Sequence, residues 1–382
     1  MTQANAITTL PDDDIVARLR LIRSRRVGAV TYHRLMAEHG SAAAALDALP
    51  EIASAAGIER YEVCPVGVVM AELAKGRAAR AALIAHGDPR YPQLLAQMPD
   101  APPVLWVQGD IRLLAGPMIA VVGSRNASSL GLRMARRLAE GLGAAGQVVV
   151  SGLARGIDAE AHRAAMASGT VAVQAGGVDV IYPAENAGLA AEIAAKGCRI
   201  SEQPMGAEPQ ARHFPLRNNI IAGLSRAVVV VEAAARSGSL LTARAALDLG
   251  REVLAVPGHP FDARAAGCNM LIRDGAILVR GTGDVLEAIG AGDEAATPHF
   301  AEKLPVHPPL PGPVPAPMPL ATAGALHAQI LARLGPSPLA EDQLIRDLAM
   351  PAGHITPALL TLELEGRIER QHGGLLARVG WA

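Results

Sequence analysis

The sequence predicts an α/β protein built on a doubly wound, mostly parallel sheet, with an all-α unit before it and a winged-helix unit after it. Three observations carry this reading. Between residues 117 and 290, short apolar runs alternate with helical patterns, and the runs show no in–out alternation, as strands buried on both faces require. Residues 1–85 are rich in Ala, Leu and Arg and show helical periodicity alone. Residues 322–382 give three helical patterns and then a hairpin signal, the order of a winged helix.

Taken in order, two amphipathic patterns between Ile15 and Leu49 are separated by Arg25-Arg26-Val27-Gly28. That spacing fits a helix-hairpin-helix or sterile-alpha-motif-like (SAM-like) bundle. The glycine turn either presents backbone N–H groups to a phosphate or simply joins two helices. Residues 86–116 read as a connector ending in a strand at 104–107. Strands are expected at 118–122, 148–150, 170–173, 199–201, 227–231, 252–256 and 276–279, with helices such as 130–142 and 240–249 between them. Nine prolines within 298–319 make a semi-extended linker. Helices at 324–334, 339–348 and 352–365 follow, then a hairpin of 367–370 with 375–379. The divisions are therefore 1–85 (helical), 86–290 (sheet), 291–321 (proline-rich linker) and 322–382 (winged helix).

Half of the 382 residues are apolar, 19% are charged and the net charge is −1. This excludes a protein that coats DNA by overall charge, so a nucleic-acid site has to be a local patch. Basic and acidic residues number 12 and 12 in 1–116, 17 and 15 in 117–290, and six and nine in 291–382. Arginine supplies 32 of the 35 cations; its planar fork suits bidentate phosphate contacts, but GC-rich coding enriches Arg and Ala as well and is the larger cause. The three cysteines (Cys64, Cys198, Cys268) lie far apart with no CxxC, which gives no disulfide framework or cysteine zinc site and fits a reducing compartment. No secretory signal is visible and no apolar run approaches the ~20 residues of a membrane span, so a cytoplasmic location and no membrane partner are expected.

Ligands in open α/β sheets bind beyond the carboxyl ends of the strands. Four segments there have unusual composition. Gly123-Ser124-Arg125-Asn126-Ala127-Ser128-Ser129 runs into a helix and suits an anion, with Arg125 adding charge; an ordinary tight turn with serine capping is the other reading. The loop 151–158 leads into a helix on which Asp158 and His162 stand four apart on one face, either as a metal or acid–base pair or as a cap and a surface ion pair. The loop 213–219 is the most suggestive: Phe214 can stack on a base, Arg217 can grip a phosphate, and Asn218 or Asn219 can bond base edges or sugar; the other reading makes Phe214 core and the amides caps. Gly238 and Ser239 open another helix and can line a second phosphate, and Gly267-Cys268-Asn269 precedes one farther on.

The loop 123–129 is not GxGxxG, and Walker A, HExxH and GxSxG motifs are absent. Phosphate-binding features without a catalytic set favour a binding module over an enzyme, and no cofactor or metal is called for.

The runs VVGSRNASSLG, VVVSGLARGIDAEAHRAA, TVAVQAGGVDVIYPAEN, SEQPMG, HFPLRNNIIAGLSRAVVVVEAAARSGSLLTARAALDLGREVLAVPG and GCNMLIRDGAILV, in this order across roughly 88–290, resemble the DNA-processing protein A (DprA/Smf) family. RSRRVGAVTYHRLMAEHGSAAAAL resembles that family's N-terminal SAM-like domain. The resemblance implies an extended Rossmann-like fold and a single-stranded DNA-binding protein of natural transformation and recombination. Such a protein protects incoming strands, loads the RecA recombinase, dimerises through the Rossmann-like domain and needs no nucleotide cofactor. It further implies a single-strand pocket formed by Gly123, Ser124, Arg125, Phe214, Arg217 and Asn218, with Gly238, Ser239 and Asn269 as outlying members. Residues 228–231 and the helix 240–249 are candidates for the dimer interface. The recognition-helix segment 352–365 has no Lys or Arg and carries Glu363 and Glu365, which points to protein contacts rather than duplex DNA.

Three rivals remain. A phosphoribohydrolase of the lysine-decarboxylase-like group would carry PGGxGTxxE; the nearest string is 236–243, where no acid fills the Glu position. A nicotinamide-dependent oxidoreductase would carry GxGxxG in the loop 123–129 after the first sheet strand, and a ribose acid about 20 residues on, and neither is there. A scaffold with a vestigial pocket would leave the work to the terminal units.

Overall fold

A computed structural model describes residues 12–56, 59–291, 320–334, 338–371 and 375–379. Four helices open it: α1 (Asp12–Arg23), α2 (Ala29–His39), α3 (Ala42–Ala55) and α4 (Val66–Ala78). They close on Leu21, Tyr32, Leu35 and Leu46, whose helical spacing gave the amphipathic pattern. Then come β1 (Ala82–Ala85), the short α5 (Gln93–Ala96), β2 (Val104–Gly109), β3 (Met118–Val122), α6 (Ser129–Ala144), β4 (Val148–Ser151), α7 (Ile157–Ala164) and β5 (Thr170–Val173). The series continues with α8 (Ala187–Lys196), β6 (Cys198–Ser201), α9 (His213–Leu224), β7 (Ala227–Val230), α10 (Ser239–Asp248), β8 (Glu252–Ala255), α11 (Ala266–Arg273), β9 (Ile277–Leu278) and α12 (Thr282–Ala288).

The nine strands form one sheet in the order β1-β2-β6-β5-β4-β3-β7-β8-β9. β2 runs antiparallel to both β1 and β6, and every other pairing is parallel. From β3 the chain winds outward one way through β4, β5 and β6 and later the other way through β7, β8 and β9. The order therefore reverses beside β3, where a crevice opens at the strand ends. Alternate side chains of β3 serve two cores: Ala120 and Val122 pack with Ile220 and Ile221 of α9, while Ile119 and Val121 pack with Leu138 and Leu142 of α6. The doubly wound α/β class is as expected.

The helical unit is built into the sheet's end. Leu19, Cys64 and Val69 pack with Ala85 and Val104. Glu72 of α4 accepts from Arg23 Nε at 3.0 Å and Nη2 at 2.9 Å and from the buried Trp106 indole N–H at 2.8 Å.

The winged-helix unit comprises α13 (Leu320–Arg333), β10 (Leu339–Ala340), α14 (Glu341–Leu348), α15 (Ala352–Leu364), β11 (Ile368–Gln371) and β12 (Leu375–Arg378), with the strands in the antiparallel order β10-β12-β11. Leu331, Leu344, Leu359 and Leu376 share its core.

Four local expectations change. Ala82–Ala85, within the stretch read as helical, is a strand. Four apolar residues cannot be told from a buried helix segment by periodicity alone. The loop 213–219 is the first two turns of α9, and Pro215 sits within the opening turn, where its missing N–H breaks no helical bond. Residues 339–340 pair as a strand before α14 begins. Residues 228–231 lie between β3 and β8 at 0–4% exposure and are unable to meet a partner. The proline run at 298–319 lies outside the described residues.

Candidate functional site

At the carboxyl ends of β3, β4 and β5, beside the start of α9, lies a pocket of about 120 Å³. Three walls come from turns that follow strands and another from a helix. Arg125 comes from the turn after β3, Gly152, Ala154 and Arg155 from that after β4, Gln174 and Gly176 from that after β5, and Phe214 and Arg217 from α9. Tyr182 closes the mouth, its ring 5.8 Å from that of Phe214 in an edge arrangement. The exposed guanidinium of Arg125 lies 5.6 Å from the Phe214 centroid on one side. A cation beside a half-exposed aromatic platform is an arrangement that accepts a planar, electron-rich ring next to an anionic group.

The floor is a buried charged array. The Arg217 guanidinium donates through Nη1 to the Gly152 carbonyl and, at 3.3 Å, to that of Val173, while its Nε has no partner. Burial pulls its affinity for the proton below the ordinary arginine value, opposed by the Asp158 carboxylate. Glycine is required at 152 because a Cβ there would fall on the guanidinium. Asp158 Oδ2 accepts from Gly152 N–H at 3.1 Å and Ala154 N–H at 3.4 Å. Burial lifts this carboxyl above its usual range, against the pull of Arg217. Thr170 Oγ1 donates to the Val149 carbonyl at 2.8 Å, so it accepts from His162 Nδ1–H at 2.7 Å, and His162 Nε2 accepts from Leu153 N–H at 3.3 Å. Burial, reinforced by Arg217, pushes this imidazole down to about 3. Asp158 and His162 are thus neither a surface ion pair nor a metal site. They hold the 152–154 turn from beneath, and among the described residues no cluster of His, Cys, Asp and Glu is arranged to bind a metal.

The start of α6 is already occupied by a carboxylate. Glu232, just beyond β7, accepts from Ser128 N–H at 3.1 Å and from Ser128 Oγ at 2.8 Å, and Ser128 Oγ in turn caps Gly131 N–H at 3.0 Å. The seat foreseen for an external anion at this helix start is therefore filled from within. Gly123 packs against Ile157 and the Glu232 carbonyl, the Ser124 carbonyl accepts from Ile157 N–H at 3.2 Å, and Ser124 Oγ accepts from Asn126 N–H at 3.2 Å. Both shape the turn that carries Arg125.

Of the nine residues expected at the site, Arg125, Phe214 and Arg217 share the pocket. Arg217 is in its floor at 6% exposure rather than at a position to grip a phosphate. Asn218 donates to the Gly238 carbonyl at 3.4 Å, which joins Asn218, Gly238 and Ser239 in a neighbouring group outside the pocket lining. Asn269 exchanges two bonds with Gly258 (3.1 and 3.0 Å) and fixes a different loop. Tyr182, Gln174, Arg155 and Glu232 were missed. An acid directly after four buried valines and one of only four tyrosines in the chain were the available signals.

A family model described as DNA recombination-mediator protein A matches residues 82–290, a DprA-like N-terminal HHH domain matches 12–74 and a DprA winged helix domain matches 314–374. The chain is 36% identical over 307 residues to Protein Smf of Synechocystis sp., covering 75% of this chain and 77% of the relative. To Protein Smf of Escherichia coli it is 39% identical over 291 residues, covering 74% of each. The X-ray structure of DNA processing protein A from Streptococcus pneumoniae superposes with a TM-score of 0.62 at 35% identity, over 73% of this chain and 98% of that one. DNA processing protein A from Helicobacter pylori, solved for its single-stranded DNA binding mode, gives 0.51 at 27% identity, over 55% of this chain and 95% of that one.

Proposed function

The chain belongs to the DNA recombination-mediator protein A family, and from that premise we propose that it binds single-stranded DNA at the Arg125–Phe214 pocket and serves DNA processing in transformation and recombination. The observation that carries the reading is the cation and aromatic pair at the pocket mouth. Unpaired bases expose faces that a duplex hides, and one stacked base contributes about 1–3 kcal/mol with little dependence on sequence. Tyr182 gives a second aromatic edge, and Arg155 a second cation at the rim. The protein acts by binding rather than catalysis, protecting strands and delivering them to the RecA recombinase in the cytoplasm. Among the described residues no helix is long and apolar enough to cross a membrane.

Homodimer formation through the sheet domain is part of the same reading. β9 ends the sheet with Ile277 and Leu278 at 38% and 42% exposure, and Leu241, Leu247 and Met270 are exposed on the helices α10 and α11 beside β8. Sedimentation of a Leu278→Lys variant as a smaller species is the check.

The principal test is fluorescence anisotropy with an oligo-dT of about 20 nucleotides against the matching duplex. Phe214→Ala is expected to weaken single-strand binding by about 5- to 150-fold, the equivalent of one stacked base. Arg125→Ala is expected to lower the salt slope by about 0.7. A wild type that binds neither substrate at low salt refutes the proposal, and nucleotides would then be screened for glycosidic cleavage, the activity of the phosphoribohydrolase alternative.

A further inference from the structure

Resting on the single-strand reading above, we propose that the strand does not end at the pocket but continues through the cleft between α6, α7 and the winged-helix unit. There its sugar–phosphate backbone is held by arginines, and the winged-helix unit forms the outer wall.

The cleft has a volume of about 1730 Å³ and meets the pocket at Arg125 and Arg155, which line both. Nine arginines and six carboxylates line it, an excess of cations in a chain whose net charge is −1. The excess is real at the level of pairs. Glu160 is shared by Arg136 at 2.6 Å and Arg163 at 3.7 Å, so one carboxylate faces two guanidinium groups. Arg137, one position farther along α6 and exposed, has no ion pair among the described residues. These cations sit on two helices flanking the groove, so they present a line of donors rather than one point. That suits a flexible polyanion better than a small anion.

The outer wall is seated by buried groups. Arg264, with 13% of its side chain exposed, faces Asp262 at 3.1 Å and Glu232 at 3.5 Å and donates to the carbonyls of Ala332 at 2.7 Å and Leu334 at 3.2 Å. Those carbonyls end α13, the negative end of a helix. Arg333 returns a bond to the Ala127 carbonyl at 3.4 Å, and Arg133 pairs with Asp347 across the rim at 3.8 Å. The wall turns α13 and α14 to the cleft, with Arg333 and Arg346 among the lining residues, whereas α15 contributes none. The absence of cations from α15 is thereby explained: the surface of this unit that meets the strand is not its recognition helix.

The test compares oligo-dT of about 6 nucleotides, which fills the pocket alone, with about 20, which also enters the cleft. The variant Arg137→Gln/Arg163→Gln changes two exposed side chains and leaves the Arg136–Glu160 pair. Its affinity for the short strand should stay within about twofold. For the long strand the salt slope should fall by about 1.4, two contacts at about 0.7 each, which is about 25-fold weaker binding at 0.1 M salt relative to 1 M. Arg333→Gln/Arg346→Gln should give the same pattern from the opposite wall. Full long-strand affinity in the first variant, or equal weakening of both lengths, overturns the path while short-strand binding by the wild type still upholds the pocket. A response from the α6 and α7 variant alone overturns the role of the winged-helix wall. A wild type that binds neither length refutes the pocket and the path together.

Discussion

Replacing Arg217 with alanine separates a phosphate ligand from an internal strut. The Arg217 guanidinium is bonded to two strand-end carbonyls, Gly152 and Val173, and is attracted by the charge of the buried Asp158 carboxylate. Two hydrogen bonds from a charged donor are worth about 1.5–3 kcal/mol each. Truncation also leaves Asp158 buried without its cation, and breaking such a pair costs about 3–5 kcal/mol. Against this, the variant no longer desolvates a guanidinium whose Nε is already without a partner. The net expectation is a loss of about 3 kcal/mol in folding stability. It is read as a lower urea midpoint with an unchanged m-value at neutral pH. Gly152→Ala should reproduce it, because a Cβ there displaces the same group. The salt slope of single-strand binding, measured where the variant is still folded, should not change. If stability instead moves by less than about 1 kcal/mol while the slope falls by about 0.7, Arg217 contacts phosphate and the strut argument is wrong.

Two other outcomes follow from the same array. Gly131→Ala in α6 should destabilise by about 2–4 kcal/mol, since its Cβ collides with the Glu232 carboxylate that serves Ser128. An unobstructed helical glycine would instead gain about 1 kcal/mol from alanine, so a stabilised variant in thermal unfolding refutes the role given to Glu232. His162 is held neutral, with its affinity for protons pushed down to about 3. The unfolded chain takes up that proton below about 6.5 and the folded chain does not, so this contribution is fully present above that value and is lost as the pH falls toward 3. Wild type should lose about 2 kcal/mol more than His162→Gln between pH 7 and pH 5, and parallel pH profiles would contradict it.

The parallel strands were legible because burial on both faces leaves β3 to β7 without alternation, a pattern few other structures produce. β1 was not, being four residues long and flanked by helices. The first turns of α9 were read as a loop, although Pro215 stands in the opening turn, where a helix tolerates it. At the site, residue types read well: Arg125 and Phe214 meet as their chemistry suggested. Depth did not. Whether Arg217 reaches outward or folds beneath the turns depends on Gly152, 65 positions away, leaving it room. Glu232 meets Ser128 across 104 positions, and local spacing carries no trace of such a contact.

The two ends of the chain are joined to the sheet by different mechanics. Arg23, Glu72 and Trp106 bind the first helices to β2 through a shared buried carboxylate, and Leu19 and Val69 pack in one cluster with Ala85 and Val104. The leading bundle and the sheet's edge therefore form one cooperative block. Amides in α1 and α4 should exchange hydrogen at the pace of β2, with no slack at their junction. The winged helix keeps a core of its own, and its bonds to the sheet domain include those of Arg264 and Arg333, so its opening is expected not to unfold the sheet domain. If a strand runs through the cleft as proposed, tension on it would be borne rigidly by the sheet domain and would yield at the trailing unit.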